Sequence, residues 1–312
     1  MRHASRGPHL RYSERRIKTE RESFDKLFAE RPPARILVEA STESEWAARH
    51  FESLGHEVIV ADPNFAPMYA TRDRRIKTDS RDARALCEAC RLGAYRPAHR
   101  TSDRQRDVRA HLAVRETLVR TRSKYISLIG ALARREGCRI EAGPSPCLAR
   151  RVEQAGLPAH TLAKIGPLLV MLRVLNEQIR LADKRLEEIV KADEVVQRLC
   201  SVPGVGPVVA TTFAATLDDS SRFVGAKHVR SYLGLVPREY SSGERRHRGR
   251  ISKAGSVRAR ALMVEAAWAV LRWKTERTRT LHEWWARIAQ RRGKPTAVVA
   301  LARKLAGIMF AV

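Results

Sequence analysis

Two aspartates three residues apart, Asp79 and Asp82, lie in the stretch KTDSRDARAL (77–86) of an otherwise heavily basic chain. Their spacing suits two roles. Thr78 or Asp79 can cap a helix whose positive end Asp82 complements, or the pair can offer oxygen ligands to a hard cation. A third carboxylate bears on the choice. Glu39 closes the short apolar run ARILVE (34–39), and a carboxylate at the C-terminal end of a parallel strand sits where open α/β sheets place their sites. A helix returning over that edge can bring Asp79 and Asp82 beside it. Three converging carboxylates repel one another unless a divalent cation lies between them. Mg²⁺ takes oxygen ligands and engages phosphates, so Glu39, Asp79 and Asp82 are candidate metal ligands and catalytic residues.

Three other motifs bear on chemistry. In SVPGVGPVVATTFAATL (201–217), Gly204 and Gly206 are flanked by Pro203 and Pro207. This reads as a hairpin between helices whose amide N–H groups can hold a phosphate, or as a plain tight turn. Ser241, Ser242 and Gly243 occupy a polar loop rich in arginine; taken alone they are an ordinary flexible turn. Cys87 and Cys90 form a C-x-x-C inside a helical run with no second Cys or His pair at zinc spacing, which predicts two buried helical thiols.

The elements that must position these residues follow from periodicity. ARILVE is a buried strand ending at Glu39, a helix runs through Trp46 and Phe51 to Leu54, Gly55 stops it, and HEVIVADP (56–63) is a second strand. Strand, helix, strand is a βαβ unit, whose strands should be parallel and covered on both faces. A helix then starts at Thr78 or Asp79 and runs to about Leu92. The pattern is helical again from Asp103 to Arg135. After the broken joint EAGPSPC (141–147) comes a second long helix, in which Leu172, Leu175, Ile179, Ala182, Leu186 and Ile189 form a heptad seam. That seam fits a coiled-coil hairpin, a dimer contact, or packing on a neighbouring helix of the same chain. The expected fold is α/β plus α: a βαβ domain over 1–100, a helical coiled-coil middle over 101–198, and a mainly helical C-terminal domain over 199–312 with a helix-hairpin-helix-like motif.

Composition narrows the partner. The chain has 312 residues, 44% of them hydrophobic, enough for two domains with real cores. Its 60 Lys and Arg against 34 Asp and Glu give a formal net charge of +26, which calls for a polyanion. The arginines are spread through helices and loops instead of lying on one amphipathic segment, which favours nucleic acid over a membrane surface. An aromatic fraction of 6% suits backbone holding more than base stacking. Five scattered cysteines, Cys87, Cys90, Cys138, Cys147 and Cys200, exclude a secreted disulfide framework and fit a reducing cytoplasm. The basic N-terminus lacks an apolar signal core, and no run approaches a membrane span. The expected location is the cytoplasm, at the nucleoid.

Taken in order, VEAST after a strand, KTDSRDARAL, VPGVG, FVGAKHVRSYLGLVPREYSSGERRHRGRISKAGS and AVVALARKLAGIMF resemble the bacterial insertion-sequence transposases of the IS110 family. That family joins an N-terminal RuvC-like (RNase H-like) domain of the DEDD type to a C-terminal serine-bearing transposase domain. The resemblance implies Glu39, Asp79 and Asp82 as the second, third and fourth acids of a Mg²⁺ site. It also implies Ser242 as the nucleophile that attacks a DNA phosphodiester and holds the strand as a phosphoserine, with Ser241 as the alternative. Arg245, Arg246, Arg248, Arg250 and Lys253 follow closely enough to steady the phosphate, and Lys77 joins Gly204 and Gly206 as a nucleic-acid contact. Family members are guided by a structured bridge RNA that pairs with donor and target DNA, and a dimer or tetramer is expected.

The chain departs from the family pattern in two places. The first family strand ends in a Gly-Ile-Asp-like motif, and nothing in MRHASRGPHLRYSERRIKTERESFDKLF (1–28) resembles it; Asp25 falls in a helical stretch. The usual Glu-Ala-Thr-Gly is here Glu39-Ala40-Ser41-Thr42. The expectation is a shortened, inactive copy or a true start upstream. Two alternatives to the recombinase stay open: a RuvC-like structure-specific nuclease using metal-activated water, and a non-catalytic DNA-binding remnant.

Overall fold

The computed structural model describes residues 13–69, 78–239 and 248–312, and its first unit, ending at Arg100, is built on one parallel strand pair. The elements are α1 (Arg21–Phe28), β1 (Arg35–Glu39), α2 (Ser44–Ser53), β2 (Glu57–Ala61) and α3 (Asp79–Leu92). β1 and β2 run parallel in the register Arg35↔Glu57 to Glu39↔Ala61. Alternation along a strand sends successive side chains to opposite faces. Ile36 and Val58 accordingly pack with Phe24, Ala47 and Phe51 of α1 and α2. Leu37 and Ala61 pack on the other face with Met68 and with Leu86 and Ala89 of α3. The βαβ expectation holds, with helices over both faces. A backbone segment also covers the outer edge of β2: Asp62 N–H donates to Arg96 O (2.8 Å) and Ala98 N–H to Val60 O (2.8 Å). Asp25 faces His50, whose Nε2 lies 2.8 Å from its carboxylate, and so helps tie α1 to α2.

The second unit, Thr101–Val312, is helical apart from one small ribbon. Its elements are α4 (Asp103–Arg135), α5 (Leu148–Gln154), α6 (Ala159–Lys191), α7 (Glu194–Cys200), α8 (Pro207–Leu217), α9 (Ala226–Tyr232), β3 (Pro237–Glu239), β4 (Arg248–Ile251), α10 (Val257–Arg272), α11 (Arg279–Arg292) and α12 (Lys294–Ala311). Segments 101–198 and 199–312 lie in this one unit.

α4 and α6 pack along each other as an antiparallel hairpin. Leu172 and Leu175 are buried with Ile129 and Ala133 of α4, whereas Leu186 meets Val108 and Leu112 near the start of α4 and Ala215 of α8. The apolar seam is thus buried within the chain. Each Leu or Ile so covered stabilises by about 1.5–3 kcal/mol. The main core gathers α7 to α12, with Met263, Leu301, Leu305 and Met309 almost wholly enclosed.

Candidate active site

β1 carries Glu39 on its last residue, and the two-residue period puts that side chain on the same face as Leu37, the face α3 covers. The Tyr69 hydroxyl donates to Glu39 Oε2 at 2.7 Å. Tyr69 was not anticipated from sequence; the aromatic in FAPMY (65–69), just before the acidic helix, was the available signal. α3 starts as its sequence dictates. Thr78 is extended and its hydroxyl accepts from Arg81 N–H, so Thr78 is the cap, and Asp79 and Asp82 both lie in the first turn. Capping and a site role are therefore compatible, because the Thr78 hydroxyl makes the cap. Asp79 is exposed and Asp82 half-buried.

Glu14 is a further carboxylate beside this turn that sequence reasoning passed over. Hydrogen bonds from Ser80 and Arg84 hold it below the usual carboxylate range. Among the described residues no group of three or more His, Cys, Asp or Glu side chains is arranged to hold a metal ion. Glu39 ends the strand whose one face α3 covers, and Asp79 and Asp82 lie in the first turn of that helix.

On the second unit, Ser241, Ser242, Gly243, Arg245 and Arg246 lie outside the described residues, as do Lys77 and the side chain of Arg248. What the structure describes is the root of that loop. β3 and β4 pair antiparallel, and their base is tied to α9 and α10 by close backbone contact. A Cβ on Gly234 would sit 2.3 Å from Ala254 O, and one on Gly255 would sit 2.1 Å from Tyr232 O, and both glycines have positive φ. Arg260, buried, donates to Leu233 O (3.1 Å) and Ala254 O (2.7 Å), satisfying carbonyls that the tight crossing would otherwise orphan. Lys253, a proposed phosphate contact, has φ 58, an uncommon backbone for a lysine, and Arg250 is exposed on β4.

The hairpin glycines differ from each other. Gly204 has φ +78, and a Cβ there would lie 2.6 Å from both Ala266 O and Val270 Cγ2. Its smallness serves packing of the turn on α10. Gly206 caps α8 ahead of Pro207, with open space around it. The C-x-x-C expectation is corrected: Cys87 is exposed and Cys90 half-buried, and both are free thiols. Desolvation pushes the Cys90 thiol up. The cause is register, since Ala85 and Ala89 take the buried face of α3 instead. No helix among the described residues is long and apolar enough to cross a membrane.

Comparison with known proteins extends this geometry. Residues 196–283 match the model of the Transposase IS116/IS110/IS902 family. Residues 6–134 match the model of the DEDD type of IS110 transposase domain, described as a transposase. A "Probable family 20 transposase" of Pseudomonas aeruginosa is 32% identical over 294 residues, covering 91% of this chain and 85% of that protein. The "Transposase for insertion sequence element IS1328" of Yersinia enterocolitica is 31% identical, covering 90% of this chain and 84% of the relative. The "Transposase for insertion sequence element IS1111A" of Coxiella burnetii is 30% identical, covering 88% and 76%. The two family models and these relatives, which cover most of the chain, define a transposase. The chain belongs to the IS110 family of insertion-sequence transposases. Its substrate as a member of that class is DNA, and a DEDD domain points to use of a divalent metal.

Proposed function

We propose that this transposase cuts and joins DNA strands with a Mg²⁺-dependent acidic site on the first unit and a serine nucleophile, Ser242, on the β3–β4 loop, and that a structured bridge RNA supplies base specificity. The observation that carries the reading is the placement of Glu39 at the C-terminal end of a parallel strand, on the face covered by the helix whose first turn holds Asp79 and Asp82. The donor chemistry fits a hard cation, since all three offer carboxylate oxygens and Tyr69 engages one oxygen of Glu39. Glu39, Asp79 and Asp82 would hold it. When bound, the cation would supply positive charge against phosphoryl oxygens.

The serine hydroxyl forms the bond to phosphorus as the bond to the leaving sugar oxygen breaks, and that oxygen takes the proton. The resulting ester conserves the cut bond, so rejoining needs no outside energy source. Arginines around the loop neutralise the phosphate and hold it for in-line attack. The protein's charge grips both nucleic acids through their backbones and leaves sequence to base pairing.

The test is a covalent protein–DNA adduct resolved on a denaturing gel, with the RNA and DNA of the element supplied. Ser242→Ala is expected to abolish the adduct, because the phosphoserine ester cannot form without the serine oxygen, while Ser241→Ala retains it. Asp79→Asn is expected to remove Mg²⁺-dependent cleavage and keep DNA binding. An adduct that survives Ser242→Ala would overturn the serine assignment. Cleavage without adduct, unchanged by Ser242→Ala, would replace it with a metal-activated water.

A further inference from the structure

A cavity of about 370 Å³ lies within the second unit between α4, α8, α9 and α10, next to the crossing of Gly255 with Tyr232 at the root of the β3–β4 ribbon. Its lining includes Arg109, Thr212, Thr216, Tyr232, Ser256 and Arg258. Its chemistry is lopsided. Arg109 is half-buried and makes no ion pair among the described residues. Instead its Nε donates to Ala215 O (2.7 Å), Nη2 to Thr216 O (3.2 Å) and Nη1 to Thr101 Oγ1 (2.9 Å). A guanidinium has five N–H donors, so two are left over. Burial pushes its pKa down, with Tyr232 and Asp218 opposing and Arg222 adding to the effect. Arg258 is also pushed down by burial; its Nε lies 2.9 Å from Glu116, and Nη2 donates to Leu112 O.

Two arginines are therefore drawn into a half-enclosed space with one carboxylate paired to them. Desolvating a cation without a matching anion is unfavourable, so the cavity favours a negative guest. The floor supplies an independent sign. Thr212 is 5% exposed, and its Oγ1 has no hydrogen-bond partner. The chain could have avoided that penalty with valine, a side chain of the same shape. The rim adds the start of α10, a helix of 16 residues. Ser256 caps it by accepting from Ala259 N–H, which leaves the serine's own O–H as a donor, and the first-turn amides have no intrahelical acceptor.

We propose that this cavity binds a phosphate group, with Thr212, Arg109, Arg258 and the N-terminus of α10 as its donors. Every one of these groups donates hydrogen bonds or presents positive charge, and a tetrahedral oxyanion has several acceptor oxygens to meet them. The phosphate can be a nucleic-acid backbone phosphate or a free phosphate compound. Only the first source rests on the function proposed above.

The experiment is thermal unfolding of the full chain in inorganic phosphate against chloride at matched ionic strength. A ligand that binds only the folded state raises the melting temperature with concentration. Phosphate is expected to stabilise the wild type beyond chloride. Thr212→Val preserves volume and removes one hydroxyl, so apparent phosphate affinity should fall by about tenfold, the loss of one hydrogen bond to a charged group. Thr212→Ser should restore it, and Arg258→Gln should weaken it at least as much. Equal responses in wild type and Thr212→Val, or no advantage of phosphate over chloride, would overturn the site.

A second arm adds a short oligothymidylate. Competition with phosphate, together with weaker oligonucleotide binding by Thr212→Val, identifies a backbone phosphate. Phosphate binding that the oligonucleotide leaves untouched keeps the site and overturns the backbone source, whatever becomes of the serine and metal reading.

Discussion

Gly204 shows how a single missing side chain fixes the relation between a turn and a helix. With φ +78 and only 2.6 Å between a Cβ and both Ala266 O and Val270 Cγ2, two independent penalties meet at one residue: a backbone region that side chains avoid and a collision with main chain. Gly204→Ala is expected to destabilise the second unit by about 2–4 kcal/mol, whereas Gly206→Ala, facing open space, should change stability by less than about 1 kcal/mol. Paired melting curves of the two variants check this. Sequence showed that a glycine turn stood here, but a phosphate loop and a packing turn share the same letters. What the letters could not show is the packing of this turn on α10, some sixty residues on. Glu39 was more legible, because strand period and strand end are both local properties. Tyr69, its hydrogen-bond donor, comes from outside any repeating pattern and so left no periodic trace.

At the scale of elements, α4 and α6 show what periodicity carries and what it misses. The seam from Leu172 onward marks the buried side of α6, and its apolar spacing named the right residues. The helix itself begins at Ala159, and Pro167 lies inside it. A proline that removes one backbone donor hides the first three turns from a reading based on pattern. α5 was missed as well, being only seven residues long.

One contact joins the end of α4 to the start of α6: Glu136 accepts from Thr161 Oγ1 at 2.8 Å, with His160 Nε2 at 3.3 Å. The hydrogen bond from Thr161, followed by His160, holds the Glu136 carboxyl below its ordinary value of 4.5. A carboxylate with a lowered folded-state pKa adds stability above its unfolded pKa and loses it as pH falls through the folded one. Glu136→Gln is therefore expected to melt at a lower temperature than wild type at pH 7. That difference should shrink as pH falls below about 4.5 and close under more acid conditions, as read by melting curves of both proteins across pH.

For the molecule as a whole, the surplus of charge matters more than any one contact. A formal charge of +26 on a chain whose aromatics are few makes nucleic-acid affinity a counterion-release effect. If it neutralises about six to ten phosphates, duplex binding should weaken by roughly 10³–10⁵-fold between 50 and 200 mM salt, read as the slope of log K against log salt. A slope near zero would mean that the charge serves some other purpose. Composition alone disclosed this property, because net charge needs no fold to be counted. The first unit ends at Arg100. The joining of the long helices to the C-terminal core was not legible in the sequence, since it rests on Ala215 of α8 meeting Val108, Leu112 and Leu186, a contact between residues far apart in sequence.

The antiparallel run of α4 and α6 has one more consequence. Both helices are 33 residues long, about 50 Å at 1.5 Å per residue, or roughly fifteen base-pair steps of duplex. The chain leaves along one helix and comes back along the other, with residues near the start of α4 and near the end of α6 meeting at α8. Removing matched heptads from both helices would shorten the arm in steps of about 10 Å while leaving that junction in register. Reach is thus a dimension that evolution can adjust in this protein without rewriting the parts that do chemistry.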